Sequence, residues 1–163
     1  MTAQTMEQAV EQNYDDVLRY FVYRVHSRAA AEDLTQETFY RFLRYAADTA
    51  KFRTPQKCRA YLFTIASNVC RDHYAKSADT DADELDENLS AAETDDRELS
   101  AVIENALAKL PDAQREAAVL YYYSGFRVRE IAAIQGVTVT AVKSRLKMAR
   151  DTLKKILEKE GFS

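Results

Sequence analysis

The chain has 163 residues, 47% hydrophobic and 30% charged, with a formal net charge of −3. That length suits one domain or two small ones, and no apolar run approaches the ~18 residues of a membrane span. Only three glycines, two prolines and no tryptophan exclude a sandwich or barrel, which needs a turn roughly every 8–12 residues, so the expected fold class is all-α.

The first residues, MTAQTMEQAVEQ, have neither the basic nor the apolar region of a secretory signal. With two cysteines, this points to a reducing cytoplasm rather than a disulfide scaffold. An amphipathic helix follows, with Tyr14, Val17, Leu18, Phe21, Val22 and Val25 on one stripe. Ser27 is a candidate N-cap for a second helix through Leu34, Phe39, Phe42, Leu43 and Ala46. Thr54-Pro55 starts a third, since proline at the first helical position has no N–H to lose. Its apolar face is Leu62, Ile65, Ala66, Val69, Cys70 and His73, while Asn68, Asp72 and Lys76 share another face at four-residue steps.

Net charge is +2 over Met1–Ala78, −9 over Asp79–Glu98, −1 over Leu99–Phe126 and +5 over Arg127–Ser163. The acidic stretch has only Leu85 and Leu89 as large apolar residues, too few to offset the entropy of ordering it, so it reads as a linker. The expected domains are therefore 1–78 and 99–163, joined by residues 79–98. An acidic middle beside a basic end leaves nucleic-acid binding open despite the acidic balance.

Beyond the linker, Leu99, Val102, Ile103, Ala106, Leu107 and Leu110 form an apolar stripe that ends at Pro111-Asp112. The next helix runs through Ala117, Leu120 and Tyr121 to Ser124-Gly125, and a short one covers Val128–Ile134. After the turn Gln135-Gly136-Val137, Thr138 or Thr140 caps a long last helix with Val142, Leu146, Ala149, Leu153 and Ile156 inward.

Two helices joined by a short glycine-containing turn make a helix-turn-helix. Ala132 is the small residue at the crossing, Gly136 makes the turn and Val142 anchors the second helix. That helix presents Thr140, Lys143, Ser144, Lys147 and Arg150, with Arg145 beside them, cations for phosphates and short hydroxyls for base edges. In AEDLTQETFYRFL the acidic side (Glu32, Asp33, Gln36, Glu37) is on composition best explained by the helix dipole. From Lys51 to Lys76 aromatics alternate with bases, a pattern that suits single-stranded nucleic acid, although core packing also explains the aromatics.

Enzyme chemistry lacks an inventory. His73 lies on an apolar helix face and His26 at a helix end, and Cys58, Cys70 and His73 have neither zinc-site spacing nor a fourth ligand. No glycine-rich phosphate loop is present, and no cofactor or metal is expected.

Four segments in order, AEDLTQETFYRFL, AYLFTIASNVCRDHYAK, LPDAQREAAVLYYYSGFRVREIA and VTVTAVKSRLKMARDTLKK, resemble the bacterial sigma-70 transcription initiation factors of the extracytoplasmic-function (ECF) group. The resemblance covers Tyr14–Lys76 (region 2) and Leu99–Leu157 (region 4). It implies that Asp33, Leu34, Gln36, Glu37 and Phe39 dock on core RNA polymerase, which reverses the preference for a dipole role. It implies that Asn68 meets a base flipped from the promoter −10 element, and that Lys51, Arg53, Arg59, Tyr61, Arg71, Asp72 and Lys76 belong to that −10 face. Thr140, Lys143, Ser144, Arg145, Lys147 and Arg150 would read the −35 element.

Three positions depart from the family pattern: Tyr61 where tryptophan is frequent, and Thr64 and Met148 where basic residues occur. The implied partners are core polymerase, promoter DNA and an anti-sigma factor, for a chain that is monomeric when free. The acidic tether would permit a compact, inhibited arrangement and an extended one on polymerase. A stand-alone helix-turn-helix regulator with an N-terminal sensor or dimerisation lobe, and a module that only sequesters a partner, are the competing readings.

Overall fold

The computed structural model describes residues 6–25, 27–45, 52, 54–77 and 97–161. His26, Ala46, Lys51, Arg53, Ala78 and residues 79–96 of the expected linker lie outside the described residues. Those described form helices and turns with no strand, so the all-α expectation holds.

The first half is a three-helix bundle: α1 (Met6–Val25), α2 (Arg28–Tyr45) and α3 (Pro55–Ser77). Its caps are those legible in the sequence. The Ser27 hydroxyl accepts from the Ala30 N–H at 3.2 Å and Thr54 from the Lys57 N–H at 3.1 Å, each satisfying an otherwise orphaned helix donor. The α2 stripe differs from expectation at Leu43, which is 46% exposed. Ala31, Thr35, Thr38, Phe39 and Phe42 face inward instead, and Leu43 lies a further ~100° round the helix from Phe42, beyond the buried arc. Thr35 and Thr38 enter the core because their hydroxyls donate to the Ala31 and Leu34 carbonyls, each at 2.7 Å.

The second half contains α4 (Arg97–Ala108), α5 (Asp112–Ala118), α6 (Val128–Gln135) and α7 (Val139–Lys159). The helix read as continuous through Tyr121 widens after α5 into a π-helical turn, Val119–Tyr123, closed by Ser124 N–H to the Val119 carbonyl at 3.0 Å. Gly136 ends α6 at φ 68°, a left-handed conformation that glycine adopts without strain. Thr138 rather than Thr140 caps α7, accepting from the Ala141 N–H at 3.1 Å.

One apolar core runs through both halves. Phe63 of α3 meets Phe126 edge-on with ring centroids 4.9 Å apart, and Leu120 and Ile131 are fully buried. The lobes, legible in the sequence as separate units, are packed together.

Candidate polymerase and nucleic-acid interfaces

The lobe junction is organised around Glu116, a carboxylate that sequence periodicity does not single out. Tyr20 of α1 donates to its Oε2 at 2.6 Å, Ser67 of α3 to the same atom at 2.9 Å, and Gln135 of α6 to Oε1 at 3.0 Å. Arg24 of α1, 1% exposed, pairs with Glu116 and, at 2.7 Å, with Asp112. Burial by itself would raise the Glu116 pKa. The Arg24 charge and the hydrogen bonds from Tyr20, Gln135 and Ser67 outweigh it and hold the carboxyl below its ordinary range. Burial drives the Tyr20 hydroxyl well above the usual phenol value. The Tyr20–Glu116 and Arg24–Glu116 contacts join residues 96 and 92 positions apart, so only the folded chain reveals them.

The rim of the junction engages residues expected on the −10 face. Arg59 donates to the Ser124 carbonyl at 2.8 Å, and its guanidinium lies 4.5 Å from the Phe126 ring centre and 4.9 Å from that of Phe63. Gln56 donates to Glu130 of α6 at 2.8 Å. Tyr23 stacks on Tyr123 at 4.2 Å. Cys58 and Cys70 are buried free thiols, and burial pushes Cys70 up to about 12, far from the range of a reactive thiolate.

Of the −10 residues, Asn68, Arg71, Asp72 and Lys76 come together as an exposed strip on α3. Arg71 donates to the Asn68 side-chain oxygen, and Arg41 of α2 donates to Asp72 at 3.0 Å. Arg59 is turned away from this strip into the junction. Tyr61 is half-buried, with its ring 5.2 Å from Phe52 and 6.4 Å from Phe42.

On α2, Asp33 and Gln36 are exposed and Leu34 and Glu37 half-buried. Phe39 is buried and stacks on Tyr14 at 5.5 Å, so it can shape this surface only from beneath. Tyr40 (57% exposed) and Leu43 join the exposed arc. Sequence reasoning assigned neither to it, although the steps from Asp33 to Gln36, Tyr40 and Leu43 follow one helical face.

On α7, Thr140, Lys143, Ser144, Lys147 and Arg150 are exposed while Val142, Leu146 and Ala149 are buried. The six residues expected at the −35 element therefore split. Five face outward, and half-buried Arg145 donates inward to Gln135 Oε1 at 2.9 Å. Gln135 in turn contacts Glu116, so a side chain of α7 is linked through one amide to the lobe junction.

Comparison with known proteins fits this geometry. Family models described as "Sigma-70 region 2" and "Sigma-70, region 4" match residues 9–80 and 100–153. The ECF RNA polymerase sigma factor BldN of Streptomyces coelicolor is 34% identical over 155 residues, which is 90% of this chain and 58% of BldN. EcfG, an ECF RNA polymerase sigma factor of Rhodopseudomonas palustris, is 35% identical over 150 residues, covering 88% of this chain and 81% of EcfG. Among solved structures, the sigma factor RpoE of Bartonella quintana, in complex with the anti-sigma factor NepR, superposes with a TM-score of 0.74 at 28% identity, covering 93% and 96% of the two chains. CnrH, in complex with the cytosolic domain of CnrY, gives a TM-score of 0.69 at 26% identity, covering 94% and 87%.

Proposed function

The chain belongs to the sigma-70 family of transcription initiation factors, in its ECF group, and from that membership we propose how its two lobes divide the work. The protein is a sigma factor that acts with core RNA polymerase in promoter-dependent initiation. Residues 1–78 act as region 2 and residues 99–163 as region 4, joined by 79–98. The exposed α2 arc, Asp33, Gln36, Tyr40 and Leu43 with Leu34 and Glu37 at its edge, docks on polymerase over buried Phe39. The α3 strip receives −10 DNA: Asn68 meets an extruded base, and Arg71 and Lys76 neutralise phosphates. Capturing that base offsets the unstacking cost of opening the duplex. Thr140, Lys143, Ser144, Lys147 and Arg150 enter the −35 major groove.

The observation that carries this reading is the outward basic face of α7, set by the Gly136 turn behind a bundle whose α3 presents Asn68 and Asp72. The chain works by binding rather than by catalysis, in the cytoplasm where polymerase resides. The lobe contacts supply the compact arrangement. Gln56 and Arg59, within the segment Lys51–Arg59 that by the family resemblance helps to hold a flipped base, are tied to α6 and to the Ser124 carbonyl. Polymerase selects an extended form by binding it better. An anti-sigma factor favours the compact form; that such a partner exists is supported by the similar RpoE, which was solved in complex with the anti-sigma factor NepR.

Run-off transcription with purified core polymerase and a pool of bacterial promoters tests the function. A discrete set of transcripts that depends on this protein is expected. No such transcript, together with tight sequence-specific duplex binding by the protein alone, would favour a stand-alone regulator instead.

A further inference from the structure

The three consecutive tyrosines of the π-helical turn are divided between two surfaces. Val119 and Leu120 are buried, and Tyr123 stacks on Tyr23 at the lobe junction. Tyr121 and Tyr122, 42% and 50% exposed, stand on the side facing α7. There they form one wall of an open pocket of 390 Å³, with Leu146 beneath and Lys143, Lys147 and Arg150 opposite. π turns recur at functional sites.

The chemistry of this pocket is one-sided. Lysine and arginine only donate hydrogen bonds, and a tyrosine hydroxyl can donate. No carboxylate lines the pocket. Among the described residues, none of the three cations is in an ion pair and neither tyrosine hydroxyl has a hydrogen-bond partner. The two rings meet at 88° with centroids 5.0 Å apart, which limits their rotation and holds the hydroxyls apart. The cations occupy one stripe of α7 that spans ~10 Å at 1.5 Å per residue. Such a site takes an acceptor-rich anion beside the face that enters the major groove.

We propose that Tyr121 and Tyr122, with Lys147 and Arg150, form a seat for the DNA phosphate backbone flanking the −35 element. The tyrosine hydroxyls donate to phosphodiester oxygens and fix the register of α7 on the duplex. The seat rests on the reading of α7 as the −35 helix and adds two residues to it. Phosphate contacts position without reading sequence, so the seat serves any duplex equally.

The test is fluorescence anisotropy of the full chain with a short random-sequence DNA duplex, titrated at salt concentrations from about 50 to 200 mM. The double variant Tyr121→Phe/Tyr122→Phe keeps both rings and loses both hydroxyls. It should bind roughly tenfold more weakly, with the slope of log affinity against log salt unchanged, because no charge is removed. Lys147→Gln should flatten that slope by about 1, and Tyr123→Phe should match the parent. Parental affinity in the double variant would overturn the seat, as would an equal loss in Tyr123→Phe, which would indicate a structural effect. A parent chain that fails to bind the duplex at the lowest salt would overturn the promoter-binding reading, and the seat with it.

Discussion

The two surfaces proposed to meet DNA differ in how their polar side chains are engaged. On α7 the cations Lys143, Lys147 and Arg150 face solvent unpaired by any described carboxylate. On the region 2 side Arg59 is spent on the Ser124 carbonyl and Phe126, Gln56 on Glu130, and Asp72 on Arg41. On the proposed roles, duplex DNA can meet region 4 in the compact arrangement. Of the region 2 residues only Gln56 and Arg59, tied across the lobe junction, await lobe separation, since Asn68, Arg71, Asp72 and Lys76 are already exposed. The order matches the chemistry of initiation, in which duplex recognition precedes strand capture. On the proposed reading, the Glu116 cluster, rather than either DNA face, holds the lobes together.

The largest effect should come from breaking that cluster. Glu116→Ala leaves Arg24 buried without its main counter-charge, a loss of about 3–5 kcal/mol. In differential scanning calorimetry this corresponds to a fall of about 10 °C at roughly 2–4 °C per kcal/mol. The same carboxylate gives the cluster a pH dependence. Its folded pKa is depressed below the ordinary 4.5, so its contribution is complete above that value and disappears as pH falls through the lower folded one. Acid titration of lobe separation by small-angle scattering should show this, and Glu116→Gln should remove it.

Perturbing the open face should leave stability alone. Lys143→Glu replaces an attractive charge with a repulsive one and should weaken protection of the −35 element by more than tenfold, with the melting temperature unchanged. Parental footprints from that variant would contradict the assignment of α7. Asn68→Ala should reduce permanganate reactivity of the −10 region on the order of tenfold while leaving polymerase pull-down intact; equal losses in both assays would remove Asn68 from base capture. The smallest effect belongs to Asp72→Asn, since the exposed Arg41–Asp72 pair contributes only ~0–1 kcal/mol.

Much of the fold could be read from the chain because its signals are local. The caps Ser27 and Thr54, the Gly136 turn and the period of Val142, Leu146 and Ala149 each depend on residues a few positions apart. The same locality explains the misses. Leu43 sits one step from a true core position, and only the packing of Phe39 and Phe42 decides which side of the arc it takes. The π turn adds one residue to a helix that periodicity reads as continuous, and that addition sends Tyr121 and Tyr122 to α7 and Tyr123 to Tyr23. Glu116 resembles any helix-surface carboxylate until α1, α3 and α6 close over it. Arg145 shares its helix with exposed cations and is drawn inward by Gln135, a contact that no spacing within α7 could announce.

The proposed opening of the lobe junction is tested most directly by a distance. Spin labels at Glu11→Cys on α1 and Lys155→Cys on α7, both exposed positions, leave the buried Cys58 and Cys70 unlabelled. Double electron–electron resonance should give one short, narrow distribution for the free protein and a longer one with core polymerase. A long, broad distribution in the free protein, or the same short distance on polymerase, would contradict an arrangement that is closed in isolation and opened by its partner.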